Sequence, residues 1–226
     1  MSEQVEAGLA EVRARIVAAC ARAGRSPGDV SLIAVSKRHG VEAIRSAYAL
    51  GQREFGENYA QELVHKARAL IDLPDLRLHL IGHLQRNKVK DILREPSLHS
   101  VDSIDSRRIA EVLAERAAAS GRRIQVMVQV NLAAETQKSG VAESDLAELV
   151  AGIRKTPSLE LTGLMLIPPN VDPEERRPYF RKLRELGHAL SLPQLSMGMT
   201  DDLEQAIEEG ATQVRVGTAI FGERAG

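Results

Sequence analysis

Ser31-Leu32-Ile33-Ala34-Val35-Ser36-Lys37 is the stretch whose reading decides the fold. It is a short apolar run, shorter than a helix needs, and it ends on a lysine. Strand alternation puts Lys37 on the same face as Ile33 and Val35. Counting this first run as 30–37, comparable runs rich in Val, Ile and Leu recur at 53–56, 76–82, 98–102, 124–131, 159–167, 194–198 and 213–217. Between them lie stretches with helical spacing, at 41–50, 58–70, 85–93, 106–120, 144–156, 173–190 and 202–209, and another helix at 5–23 precedes the first strand. Strand then helix, repeated in this way, means parallel strands joined by crossover helices. Several of the strand runs are continuously apolar, as expected when both faces are covered. Boundary signals agree: Asp105-Ser106 and Asp172-Pro173 stand before helices, and Gly51, Gly121 and Gly210 stand where helices should stop.

An open doubly wound sheet would satisfy the same alternation. The barrel is favoured by where the unusual residues fall. Lys37, Glu57-Asn58, Gly82 through Gln85, Asp102-Ser103, Asn131, Pro168-Pro169, Met199-Thr200 and Gly217-Thr218 all follow strand C-termini. In a closed barrel these positions converge on one rim, where such folds build their sites. The expectation is an α/β protein: one (β/α)8 TIM barrel domain spanning 1–226, with an extra N-terminal helix.

Composition fits that expectation and removes other classes. At 226 residues and 43% hydrophobic, the chain can bury the core of one large domain, and with no tryptophan that core falls to Leu, Ile, Val and Ala. A net charge of -1 calls for neither nucleic acid nor an anionic membrane surface, so basic runs such as Arg86-Asn87-Lys88 read as solvated helix faces. Cys20 is the sole cysteine, reads as packing in an alanine-rich helix, and suits a reducing compartment. The start Met-Ser-Glu-Gln-Val-Glu lacks the basic and apolar blocks of a signal peptide, and no apolar run approaches the roughly 20 residues that span a bilayer. A cytoplasmic location is expected.

Among the lysines, Lys66, Lys88, Lys90, Lys138, Lys155 and Lys182 fall in helical or loop patterns and read as solvated charges. Lys37 differs. If its face is the barrel interior, partial desolvation lowers its pKa and frees the amine for attack on a carbonyl. A strand-end lysine alone is as readily structural as functional. The last two strands add a second element. Gly217-Thr218 lets backbone N–H groups approach an anion with a hydroxyl beside them, and Ser196-Met197-Gly198-Met199-Thr200-Asp201 again sets glycine beside hydroxyls. Barrels commonly bind phosphate between the loops that follow strands seven and eight. A reactive amine on the first strand and an anion cradle on the adjoining last two suit pyridoxal 5′-phosphate (PLP).

The motifs Ala34-Val35-Ser36-Lys37, Phe55-Gly56-Glu57-Asn58-Tyr59, His79 through Lys88, and Ser100-Val101-Asp102-Ser103 then take on a collective meaning. With them go Val130-Asn131, Lys138-Ser139-Gly140, Gly163-Leu164-Met165, Leu195 through Asp202, and Val214 through Gly222. In this order, nearly end to end, the chain resembles the pyridoxal phosphate homeostasis protein family, small barrels similar to the N-terminal domain of alanine racemase and of fold-type III decarboxylases. The resemblance implies that Lys37 carries PLP as a Schiff base. It also implies that Ser196, Gly217 and Thr218 hold the phosphate, with Met199 and Asn58 nearby. It places Arg215, which shares a face with Gly217, next to the pyridine nitrogen. There a cation disfavours ring protonation and makes the ring a poorer electron sink. The family usually follows its lysine with Thr and, shortly after, Pro; here the run is Arg38-His39-Gly40, at the rim, where access or exchange could differ.

The role implied is intracellular PLP (vitamin B6) homeostasis: holding the cofactor in protected, exchangeable form and delivering it to apo PLP-dependent enzymes, without catalysis. The competing expectation is a racemase-like PLP enzyme with weak one-base activity. Racemases resembling this barrel take a second base, a tyrosine, from a further β-domain of the partner subunit; here the chain stops at Gly226, and Tyr48, Tyr59 and Tyr179 lie in helical patterns. The absence of the dimerising domain points to a monomer. A third expectation is non-covalent binding of some other phosphorylated metabolite. No metal is expected, because His79 and His83 straddle a strand end and share no helix face. No nucleophile elbow appears, so no catalytic residue is assigned.

Overall fold

The structure, a computed structural model, describes residues 2–133, 135 and 139–223. Lys138, with its part of the Lys138-Ser139-Gly140 motif, and Gly226 lie outside the described residues. Eight parallel strands close in sequence order into a barrel. They are β1 (Ser31–Val35), β2 (Glu54–Glu57), β3 (Arg77–Leu80), β4 (Leu98–Ile104), β5 (Ile124–Val130), β6 (Leu159–Leu166), β7 (Gln194–Ser196) and β8 (Gln213–Val216). β1 seals the ring against β8, with Ile33 opposite Arg215.

Helices cover the outside. In chain order they are α1 (Ser2–Arg22), α2 (Val41–Ala49), α3 (Ala60–Ala69), α4 (Val89–Ile92), α5 (Arg107–Ala119), α6 (Glu143–Arg154), α7 (Arg177–Ala189), α8 (Leu203–Glu208) and α9 (Thr218–Phe221). The extra N-terminal helix is α1, which packs against α2, α8 and α9 over the β1–β8 seam. The approach to α9 is close enough that a Cβ on Gly8 would run into the Ala219 carbonyl. Among the described residues no helix is long and apolar enough to cross a membrane.

The staves alternate as strand periodicity requires. Leu32, Ala34, Phe55, Leu78, Leu80, Val214 and Val216 face outward into one continuous apolar layer with the helices. Each fully buried Val, Leu or Phe among them contributes about 1.5–3 kcal/mol. The inward face is different. Ile33, Val35, Ile81, Met127 and Met165 share it with His79, Ser100, Asp102, Gln129 and Arg215, all of them buried. Burying polar groups is costly unless they find partners, and each of these side chains makes at least one hydrogen bond, although His79 Nε2 and Asp102 Oδ2 are left without one.

Five expectations need correction. The helix at 85–93 is a 3-10 turn (Arg86–Lys88) followed by one turn of α-helix, and that at 173–190 opens with a 3-10 turn (Pro173–Arg176) before α7. Asp102 and Ser103 do not follow their strand; β4 runs on to Ile104 after a register slip against β5, so Asp102 is sealed inside the barrel. Glu57 is the last residue of β2 and faces α3, not the rim cavity. Lys66 is not a solvated charge: it is 2% exposed and bridged to Glu57 and Glu62. The helix stops at Gly51, Gly121 and Gly210 are as expected, each with positive φ.

Candidate functional site

At the C-terminal rim a cavity of about 360 Å³ opens into the barrel. Its floor and sides are apolar where Val35, Ile81 and Ile167 reach it and polar where Lys37, Asn58, Gln129, Thr200, Arg215 and Thr218 do.

Lys37 lies two residues past the end of β1, half-buried, in a tight turn. The His39 N–H donates to the Ser36 carbonyl at 3.0 Å, and Arg38 takes φ 63. That pattern matches the type II turn, whose third residue needs positive φ and favours glycine. An arginine there is held by a bond: the Arg38 N–H donates to Glu62 Oε1 at 2.6 Å.

Arg215 does point inward. It is 4% exposed, lines the cavity, and donates to Ser196 Oγ at 2.8 Å and to the Leu166 carbonyl at 2.9 Å. Burial pulls its pKa down to about 10, against the pull of Asp102 and Asp202, so it stays cationic near neutrality. Ser196 is fully buried and is not among the lining residues; its hydroxyl meets the cavity through Arg215.

The remaining expected residues arrive on separate loops. Asn58 follows β2, and its backbone is in contact with Gly82, where a Cβ would collide with the Asn58 carbonyl. Met199 lies in the loop after β7, its N–H donating to Asp202 Oδ1 at 2.6 Å; Asp202 is in turn paired with Arg176 at 2.8 Å in the interior. The neighbouring Thr200 carbonyl accepts from Arg15 of α1 at 2.7 Å, so the N-terminal helix braces this part of the rim. Gly217 and Thr218 follow β8, and a Cβ on Gly217 would stand 3.0 Å from the Val35 carbonyl.

The structure thus brings Lys37, Asn58, Met199, Arg215, Gly217 and Thr218 to one cavity wall, with Ser196 directly behind it. Sequence reasoning set His39 and His83 at the rim without giving either a role, and did not place Gln129 or Ser139 there. His83 pairs with Asp105 at 2.9 Å, and His39 packs against Phe221. Tyr48, Tyr59 and Tyr179 are all absent from the lining.

Below the cavity a second polar layer fills the barrel. His79 Nε2 stands 3.2 Å from Glu54 Oε2, and its Nδ1 lies 2.7 Å from Ser100 Oγ and 3.4 Å from Asp102 Oδ2. Ser100 Oγ donates to Asp102 Oδ1 at 2.5 Å. Burial works against the imidazolium, but the Asp102 and Glu54 carboxylates outweigh it and hold His79 up at about 9. The bond to His79 brings Glu54 down to about 2 in turn. Among the described residues no group of His, Cys, Asp and Glu side chains is arranged to hold a metal ion.

Comparison with known proteins agrees with this architecture. Residues 9–225 match the family model described as alanine racemase, N-terminal domain. The pyridoxal phosphate homeostasis protein of Pseudomonas aeruginosa is 46% identical, covering 96% of this chain and 94% of its own. That of Aquifex aeolicus is 44% identical, with 96% of each chain covered. Among solved structures, PipY of Synechococcus elongatus without PLP superposes with a TM-score of 0.86 at 37% identity, covering 98% of this chain and 100% of its own. The same protein with PLP bound gives 0.81 at 38% identity, covering 92% and 100%.

Proposed function

Since the chain belongs to the family of the pyridoxal phosphate homeostasis proteins and of the alanine racemase N-terminal domain, we propose that it binds PLP through Lys37 and serves to hold and release the cofactor, not to catalyse a reaction with it. The observation that carries this reading is the meeting of a half-buried lysine amine and a buried guanidinium in one cavity. The volume, about 360 Å³, suits a small ligand.

The donor set fits the group. PLP supplies an aldehyde, a phosphate dianion and a ring that can act as an electron sink. Lys37 supplies the primary amine: its nitrogen replaces the aldehyde oxygen, which leaves as water, with no redox change. Gly217 and Thr218 offer a close backbone approach and a hydroxyl for the anion, with Met199 and Asn58 on adjoining parts of the wall. Ser196 acts by fixing Arg215, and Arg215 keeps a positive charge beside the ring so that its nitrogen stays unprotonated. With that sink weakened, and no tyrosine on the wall, the site favours exchange of the cofactor from Lys37 to another amine over proton abstraction from a substrate.

Purified protein incubated with PLP should turn yellow, and Lys37→Ala should remain colourless while folding normally. Incubated with the common amino acids in deuterated water, the loaded protein should show α-proton exchange no faster than free PLP. Saturable exchange well above that rate would overturn the carrier reading in favour of an enzyme using His39 or His83 as base. A colourless wild-type protein would overturn PLP binding itself.

A further inference from the structure

A buried charged cluster that the cavity does not use surrounds the backbone of Lys37. Lys66, on α3, has three N–H donors and spends each on a different acceptor: the Ser36 carbonyl at 2.6 Å, Glu57 Oε1 at 2.7 Å and Glu62 Oε1 at 2.7 Å. Glu57 also accepts from the Ser36 hydroxyl at 2.5 Å, and Glu62 accepts from the Arg38 N–H at 2.6 Å. The residues immediately before and after Lys37 are therefore both tied to the same ammonium and its two carboxylates.

The cost of such an arrangement is what makes it informative. Lys66 and Glu57 are 2% and 0% exposed at their side chains, and a buried ion pair is seldom more stabilising than apolar groups of the same shape. One Glu57 oxygen, Oε2, is left without a hydrogen bond. Burial pushes the Glu57 carboxyl up to about 7 in spite of Lys66. Packing alone would be better served by apolar side chains. What the charges provide is direction: they fix a carbonyl, a hydroxyl and an N–H of one tight turn, in which Arg38 occupies a left-handed conformation that its side chain does not favour.

We propose that Lys66, with Glu57 and Glu62, is a positioning group for Lys37: the cluster locks the turn from Ser36 to Arg38 so that the Lys37 amine is presented to the cavity. The proposal rests on the reading of Lys37 as the attachment point for PLP. Lys66 itself, sealed behind the strands with all three donors engaged, bonds to no ligand.

The test separates covalent capture from simple binding. Capture is followed by the growth of the visible chromophore after mixing with PLP, and binding by titration with pyridoxamine 5′-phosphate, which has the ring and phosphate but no aldehyde. Lys66→Met removes the whole cluster's centre. Glu62→Ala removes the hold on Arg38 and one of the two carboxylates on Lys66 but leaves Lys66 paired with Glu57 and the Ser36 carbonyl, so it serves if the first variant folds poorly. In each, capture by Lys37 should slow at least tenfold, the pyridoxamine phosphate affinity should stay within twofold, and the Arg38 amide should exchange hydrogen faster. Unchanged capture in a folded variant, or capture and pyridoxamine phosphate binding lost in parallel, would overturn the positioning role. Absence of capture at Lys37 in the unaltered protein would instead overturn the attachment reading, a result that these variants cannot imitate.

Discussion

The polar layer beneath the cavity makes a quantitative prediction about pH. His79 is buried between Glu54 and Asp102 and keeps its proton up to about 9, against an ordinary 6.5. A base whose folded pKa is raised stabilises the fold fully below the unfolded value, and that contribution is lost as pH rises through the folded value. The window is therefore pH 6.5 to about 9, and the difference corresponds to roughly 3 kcal/mol. For a chain of this size that is a fall in Tm of roughly 6–12 °C. Glu57, raised to about 7, also favours the folded state when protonated, but its contribution is lost between 4.5 and 7. Above pH 7 most of that contribution is gone, and the difference between the unaltered protein and a His79 variant reports the histidine. Urea unfolding at pH 7, 8, 9 and 9.5 should show the midpoint falling in the unaltered protein. His79→Gln should start lower, because Glu54 and Asp102 lose the cation between them, and should stay nearly level. Equal slopes for the two proteins would refute the claim that His79 is held as a cation inside the barrel.

Arg215→Gln should lower stability by about 2–4 kcal/mol, measured by denaturant unfolding, because Asp102, Ser196 and the Leu166 carbonyl lose a charged partner in the interior. Gly82→Ala should cost about 1–3 kcal/mol and weaken PLP binding, since the added methyl displaces the Asn58 carbonyl beside the cavity; a titration with unchanged affinity would contradict the role of Asn58 on the wall. Gly8→Ala should also cost about 1–3 kcal/mol by forcing α1 off Ala219 and Ile220, seen as a lower urea midpoint.

Much of this molecule was legible in its residue pattern, for physical reasons. Eight apolar runs, each bounded by turn residues, could close only with their C-terminal ends together, and the polar residues after those ends mark the rim. Arg215 was found by period-two alternation from Gly217. The interior was harder to read. His79 and Asp102 alternate with Ile81 and Ser100 on inward faces, but nothing local distinguishes an inward histidine from an outward one when the flanking residues are apolar on both sides. The β4 register slip that seals Asp102 inside depends on β5, a partner no sequence window contains. Lys66 shows the same limit. Its place in a helical pattern suggested only a solvated charge, while its burial comes with partners outside its helix, Glu57 and Ser36. Ser196 was assigned to the phosphate by resemblance, and in the structure its hydroxyl accepts a hydrogen bond from Arg215.

The central claim is that one particular nitrogen takes up the cofactor. Protein loaded with PLP can be reduced with borohydride, which makes the carbon–nitrogen bond permanent, then digested and weighed peptide by peptide. The account predicts a single modified site, on the peptide carrying Lys37, with Lys66 unmodified. Label on Lys66 or another lysine in place of Lys37, or no label at all, would contradict it.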